Sequence, residues 1–263
     1  MKLKHWKEEI KDLKDYPSSI IDEGESMLAN SVTAANFDLI RRLKANENIL
    51  EIGCGIASYI KDNVSDTSWE GIDVYKKNNK GVPTIATKIA SVEHMPYINE
   101  SFDYVISNQS IEHWHEYHVS INIALDEIIR VLKVGGKALI NFPIHLHGQK
   151  EFVMGDFLFI NNIFDIPGTK ISRKTAYIDS REENYKGWKR CGFPESYIMR
   201  SPVSEDTSYV LEYELEKVSN EFDKEYFPTI FSIKSRKSSL TRAIHYGFLV
   251  FLYKVIFGVK RRL

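Results

Sequence analysis

Residues 48–60 read NILEIGCGIASYI, a short apolar run that passes directly into a turn with glycines at 53 and 55 and then into apolar residues again. A brief apolar run stopped by glycine is the pattern of a strand buried on both faces, as in a parallel sheet. The pattern recurs. WEGIDV (69–74), VPTIATKI (82–89), FDYVIS (102–107) and KALINFP (137–143) read as four more strands, the last halted by Pro143. Between them HVSINIALDEIIRVLK sets Ile121, Leu125, Ile128 and Leu132 at i, i+4, i+7 and i+11, an amphipathic helix. Val134, Gly135 and Gly136 stop it, since glycine tolerates the left-handed cap. Strands alternating with helices predict a mostly parallel sheet covered by helices on both faces.

In such a sheet ligands bind beyond the carboxyl ends of the strands. Five loops should therefore meet at one rim: Glu51 to Gly55, Asp73 to Tyr75, Ala90 to Glu93, Asn108 to His118, and Pro143 to Gly148. Residues 144–180 follow no clear period, and a segment of this length between strands is usually functional, which makes it a candidate substrate cap. REENYKGWKRCGF (181–193) then reads as a helix ended by Gly192. YIMRSPVS and SYVLEYELEKV read as two strands joined by an acidic turn, an antiparallel pair closing the sheet.

The ligand class follows from what flanks the glycines. Gly53 and Gly55 allow close approach of a ligand to the backbone, and Asp73 stands at a strand end where it can accept both hydroxyls of an adenosine ribose. So far a nicotinamide dinucleotide fits. A strict dinucleotide fingerprint, however, places a last glycine where this chain has Ser58. Glu51, just before the glycines, would repel a pyrophosphate and attract a cationic adenosine cofactor such as S-adenosylmethionine (SAM).

EIGCGIA, GID, ASVEHMPYINESFDYVISNQSIEHW and EIIRVLKVGGKALINFP resemble, in order, the successive motifs of class I SAM-dependent methyltransferases. The likeness is to their small-molecule branch with SFD…EH and RVLKxGG signatures, and it covers roughly 47–143, more loosely to Val218. The resemblance implies a Rossmann-like α/β fold. Its sheet would have seven strands, mostly parallel, with an antiparallel strand near the C-terminal end. It also implies methyl transfer from SAM, with S-adenosylhomocysteine as product. Carried over by position, Gly53 and Gly55 would lie under the cofactor and Glu51 would reach its methionine end. Asp73 would hold the ribose with Val74 beside the adenine, and Ser91, Val92 and Glu93 would line the adenine edge. Asn108 and Gln109 would face the methionine portion, and Glu112 and His113 would begin the reaction wall. The chain departs from the pattern at Ala57, in place of a third glycine, at Ser91, in place of an acid, and at Val134, in place of a proline.

Five of the eight histidines fall on two adjacent rim loops: His113, His115 and His118, then His145 and His147. A neutral imidazole suits removal of a hydroxyl proton during methyl transfer, and His113, His145 and His147 are the catalytic candidates, with His145 preferred. A metal site built from His145 and His147 with Glu112 or His118 matches no strong ligand spacing, so no metal is expected. FVMGDFLFINNIF (152–164) reads either as a lid or as a satellite core of Phe152, Phe157, Phe159 and Phe164. Trp114 and Tyr117 either line an acceptor pocket or fill space between loops.

Composition fits a globular chain: 43% hydrophobic and 27% charged over 263 residues, with a formal net charge of −1. The catalytic half lacks the basic, aromatic-laced surface of a nucleic-acid binder. Two cysteines make no disulfide framework and the start has no secretory pattern, so a cytoplasmic protein is expected. From Tyr226 onward there is no Asp or Glu, and basic residues surround IHYGFLVFLYKVIFGV. This run is shorter than the roughly 20 residues of a spanning helix. It reads as a helix docked on the protein or on a second copy, or as a peripheral membrane contact. The expected organisation is a helical segment at 1–46, a SAM-binding domain at 47–218 with the insertion 144–180, and a basic tail at 219–263. The expected activity is O-methylation of a small or medium polar acceptor, a saccharide or a phosphorylated or nucleotide-activated metabolite in surface-glycan synthesis. Two alternatives stand beside it: N-methylation of a small amine, and a SAM-binding protein without catalysis.

Overall fold

The computed structural model describes residues 35–36, 38–64, 68–182, 185–191, 193 and 209–220. The tail from 221 onward, the strand expected at 197–204 and most of the N-terminal segment lie outside the described residues. The described strands are β1 (Asn48–Ile52), β2 (Ser68–Asp73), β3 (Lys88–Ile89), β4 (Phe102–Asn108), β5 (Leu132–Ile144), β6 (Thr169–Glu182), β7 (Tyr185–Cys191) and β8 (Tyr209–Lys217). They form one sheet in the order β3-β2-β1-β4-β5-β8-β6-β7. Strands β1 to β5 pair in parallel, β8 runs antiparallel between β5 and β6, and β7 is antiparallel to β6. The Rossmann-like, mostly parallel arrangement with its antiparallel C-terminal strand is present, and β7 extends its edge to eight strands.

Side-chain alternation divides the sheet between two cores. Leu50, Ile52, Val105, Ala138 and Ile140 face the side covered by α1 (Ile121–Val131), α2 (Lys150–Val153) and α3 (Phe157–Ile163). Ile49, Tyr104, Ile106 and Leu139 face the other side, against Leu39 of a helical stretch at 38–42. α1 buries Ile121, Ala124, Leu125, Ile128 and Ile129, as its periodicity requires, and leaves Ile123 outward. Its first turn receives help from outside, since the Glu93 carboxylate accepts the Ser120 N–H at 2.5 Å.

Three expectations are corrected. Residues 181–193 are not a helix: β7 pairs with β6 from Glu182↔Tyr185 to Ala176↔Cys191. Gly187 weakens a helix there, and a ready strand partner overrides what helical propensity remains. Pro143 does not halt β5, because it lies past the last register pair with β4, Asn108↔Asn141, where its missing N–H costs no bond to that strand. The third strand is only two residues long and is preceded by the loop Val82–Thr87. The insertion, in turn, is ordered: Phe152, Phe157 and Phe164 are buried in the main core, with Phe159 packed against it. Among the described residues no helix is long and apolar enough to cross a membrane.

A charge cluster fastens the helical stretch to the sheet. Arg42 donates to Glu214 at 2.6 Å, Lys137 to the same carboxylate at 2.8 Å, and Arg173 bridges Asp38 and Glu212. Burial pushes the Glu214 carboxyl up, but the hydrogen bonds and charges of Lys137 and Arg42 outweigh it and hold the pKa down at about 2. A depressed carboxylate stabilises the fold above its unfolded value near 4.5 and ceases to do so as pH falls through about 2. Both cationic partners are partly solvated, so Glu214→Gln should cost roughly 1–3 kcal/mol at neutral pH. Urea unfolding of both proteins between neutral and acid pH should show that difference shrinking toward acid.

Candidate active site

Four of the five expected rim loops surround one cavity of about 430 Å³, a size typical of small-molecule sites. The turn after β1 forms its floor. Gly53 and Gly55 adopt φ of +67° and +60°, which a β-carbon would strain. At Gly53 that carbon would also lie 2.7 Å from Ser110 Oγ, so the turn closes tightly onto the loop after β4. Asp73, ending β2, accepts the Gly55 N–H through Oδ2 at 3.0 Å and the Tyr75 N–H through Oδ1 at 3.2 Å. Its carboxylate thus stands fixed at the cavity wall, with lone pairs left for a ligand's hydroxyls. Ile52, Ile72, Val74, Val92 and Val119 supply an apolar slot.

The far wall comes from the loop after β4. Gln109, at φ +48°, donates through Nε2 to Asn141 Oδ1 at 3.0 Å. Its Oε1 is buried without a hydrogen-bond partner while the residue lines the cavity. An orphaned acceptor there fits an N–H or ammonium donor on a ligand. Trp114 and Tyr117, on the 3-10 helix Ile111–Tyr117, both line the cavity. The Trp114 indole donates to Ser110 Oγ at 2.9 Å, and Tyr117 meets Tyr75 edge-on, ring centroids 5.5 Å apart.

Several expected contacts are placed differently. Glu51 does not line the cavity. It is buried beneath the turn, accepting from Ser58 Oγ and, at 3.0 Å, from the Trp69 indole. Burial raises its pKa against the hydrogen bonds of Ser58, Trp69 and Asn108, so it acts as a strut for the glycine turn. Asn108 is likewise turned inward, between Asn36 at 3.0 Å and Asn141 at 2.6 Å. Glu93 is taken by the N-terminus of α1, and Ser91 accepts the Glu93 N–H at 3.4 Å and stays off the cavity wall. Of the expected cofactor residues, Gly53, Gly55, Asp73, Val74, Val92 and Gln109 are brought together.

The histidines separate as well. His145, the preferred base, is buried away from the cavity, its Nδ1 3.2 Å from the Val153 carbonyl and its ring against Gly155. His113 lines the cavity, with Nδ1 2.6 Å from Glu116 Oε1. His147 stacks on it, centroids 5.0 Å apart, and burial followed by the His113 charge lowers the His147 pKa. Residues not singled out from the sequence complete the site: Tyr75, Ser110, Glu116 and Asn141. Asn141 alone carried a signal, a polar side chain inside an apolar strand, which must find partners when buried.

Residues 50–140 match the family model described as a methyltransferase domain. Over that segment the chain is similar to methyltransferase domains, as its resemblance to the class I SAM-dependent enzymes implies, and SAM is the cofactor of that class. A 56-residue stretch is 38% identical to the uncharacterized protein YafE of Escherichia coli K12, covering 21% of this chain and a quarter of that protein's length. Among solved structures, the carbon methyltransferase of CurJ is similar with a TM-score of 0.48 at 11% identity, over 77% of this chain and 58% of that one. The YcgJ protein of Bacillus subtilis gives 0.42 at 14% identity, over 73% and 98%. The [4+2]-cyclase SpnF gives 0.44 at 16%, over 71% and 81%.

The residues present fit the cofactor: two glycines leave the floor open, a fixed carboxylate awaits hydroxyls, and the orphaned Gln109 oxygen awaits a donor. Asp73→Ala should therefore weaken S-adenosylhomocysteine binding by roughly 10- to 100-fold, and Gln109→Leu by about tenfold. Isothermal titration of both variants checks this, and unchanged affinity in Asp73→Ala would count against the assignment.

Proposed function

We propose that this protein transfers the methyl group of SAM to a hydroxyl of a small or medium polar metabolite. The observation that carries the reading is the placement of His113 in the wall of the same cavity that Gly53, Gly55 and Asp73 enclose. When bound, the cofactor supplies an electrophilic methyl group on a sulfonium, transferred by in-line displacement at carbon. The chain's part is to hold the two reactants in line and to let the acceptor's proton leave. Gly53 to Gly55 and Asp73 fix one end of the line, and Gln109 orients the amino-acid portion. Trp114 and Val119 exclude water from the apolar slot. The proton leaves at the corner formed by His113 and Glu116, where the carboxylate sets the orientation of the ring.

A saccharide is the acceptor class this cavity suits. Ser110, Glu116 and Tyr117, on the loop that carries His113, put hydroxyl and carboxylate groups along its wall. Among the described residues that line it, none is Lys or Arg, so the cavity recognises uncharged hydroxyls in preference to phosphate.

Incubation with methyl-labelled SAM and a panel of saccharides and small amines tests the reading. Label should pass to oxygen in a saccharide, and His113→Ala should lower kcat by roughly 100-fold while cofactor affinity is kept. His145→Ala should change kcat little and lower the melting temperature, since it lies away from the cavity and loses buried packing and a backbone contact. Cofactor binding with no transfer to any acceptor would leave a SAM-binding protein without catalysis, and label on nitrogen would make it an N-methyltransferase.

A further inference from the structure

Glu112 is the least expected group in the molecule. It is wholly buried, and neither carboxylate oxygen has a hydrogen-bond partner. His147 Nε2 stands 3.8 Å from Oε1, too far for a hydrogen bond. Burial pushes this carboxyl's pKa up to about 8, which keeps it largely neutral while unpaired, and a cation beside it would favour the charged form. His113 and His147 bring two imidazoles to the same place, and one ligand atom from each of the three residues lies within 4.8 Å of the others.

Their positions are fixed by the backbone. The chain that carries His147 is pinned to the 3-10 helix, for Gln149 N–H donates to the Glu112 carbonyl at 2.8 Å. Gly148, at φ +95°, packs so closely that a β-carbon would lie 2.6 Å from Glu112 Cβ. On the opposite side Glu116 holds His113 Nδ1, which leaves Nε2 as the free ring nitrogen. A carboxylate on the remote nitrogen is the usual second partner of a metal-binding histidine.

We infer that Glu112, His113 and His147 form a binding site for a divalent first-row transition-metal cation, of the zinc class, at the edge of the cavity. Two imidazoles and one carboxylate make three protein ligands and leave coordination positions open. Bonds of about 2.0–2.2 Å require the ligand atoms to draw together by roughly 1 Å, within the reach of small side-chain rotations. The inference rests on the proposed transfer to a hydroxyl and deepens it. His113 then serves as a ligand and not as a base, and an acceptor oxygen on the open side of the cation gives up its proton to solvent more readily. The inferred site differs from the sequence expectation twice: a metal is inferred where none is expected, and it uses His113 in place of His145 and His118.

The test uses the untagged full chain, stripped with chelator, titrated with Co²⁺ followed by absorbance and with Zn²⁺ by calorimetry. One cation per chain should bind, with visible d–d bands from Co²⁺. His113→Ala and His147→Ala should each weaken binding by at least about tenfold, and Glu116→Gln by a smaller factor. His94→Ala, an exposed histidine elsewhere, should leave it unchanged. Absence of saturable binding to the wild-type chain overturns the inference without reference to any variant. Equal binding in the His113 and His147 variants, or equal loss in His94→Ala, overturns it too. A parallel titration with S-adenosylhomocysteine separates the two readings. Cofactor binding without cation binding removes only the metal, whereas loss of cofactor binding removes the methyl-transfer reading.

Discussion

One hydrogen bond joins the two turns on which the site stands, from the Gly55 N–H to Asp73 Oδ2. It can form because β1 and β2 are adjacent and in parallel register, so that their carboxyl ends arrive side by side. Gly53 N–H adds a second tie to the Ile72 carbonyl at 2.9 Å. The ligand-facing carboxylate and the ligand-facing backbone are thus set by the same contacts. Beneath them the buried Glu51, capped by Ser58 and Trp69, keeps the turn from collapsing into the core. The polar groups nearest the cofactor position are ordered by bonds to one another before any ligand arrives, which is what preorganisation means at this site.

A second layer of order comes from amides. Asn36, Asn108, Asn141 and Gln109 form a chain that crosses from the helical side of the sheet to the cavity. Each link satisfies a polar group that would be costly to bury alone. The chain ends at the one amide oxygen in it that faces the ligand, that of Gln109. The Arg173, Arg42 and Lys137 cluster does comparable work at the other edge, where Glu212 and Glu214 would be untenable without their cations.

The parallel half of the fold was legible because strand burial and helix periodicity act locally. The apolar runs at 48–52 and 102–108 are where the sequence places them, and so is the helix at 121–131 except at its end, where Leu132 already begins β5 ahead of the glycines expected to stop it. The glycines and Asp73 were legible because their roles are set by backbone geometry at a strand end. What the chain could not disclose is where a side chain turns after it leaves the strand. Glu51, Asn108 and Glu93 stand at ligand-facing ends, yet each finds a protein partner and rotates toward it. The same holds for the histidines. Sequence places five of them on two loops, but only the positive φ at His145 and the Gln149–Glu112 bond decide which ones meet. The hairpin β6–β7 was missed because its strands are stabilised by each other, across a separation no periodicity records.

The close contact between Gly155 and the His145 ring, where a β-carbon would come within 2.6 Å of Cε1, fastens the segment after β5 to the end of that strand. With Phe152, Phe157 and Phe164 in the main core, the segment after β5 is keyed into the sheet and cannot swing aside without unpacking it. None of its described residues lines the cavity. Tyr75 and Tyr117, which meet edge-on, both line the cavity and stay partly exposed. The outline of the cavity is therefore set in part by two exposed rings, one after β2 and one after β4, and an effort to reshape it starts with them and leaves the insertion alone.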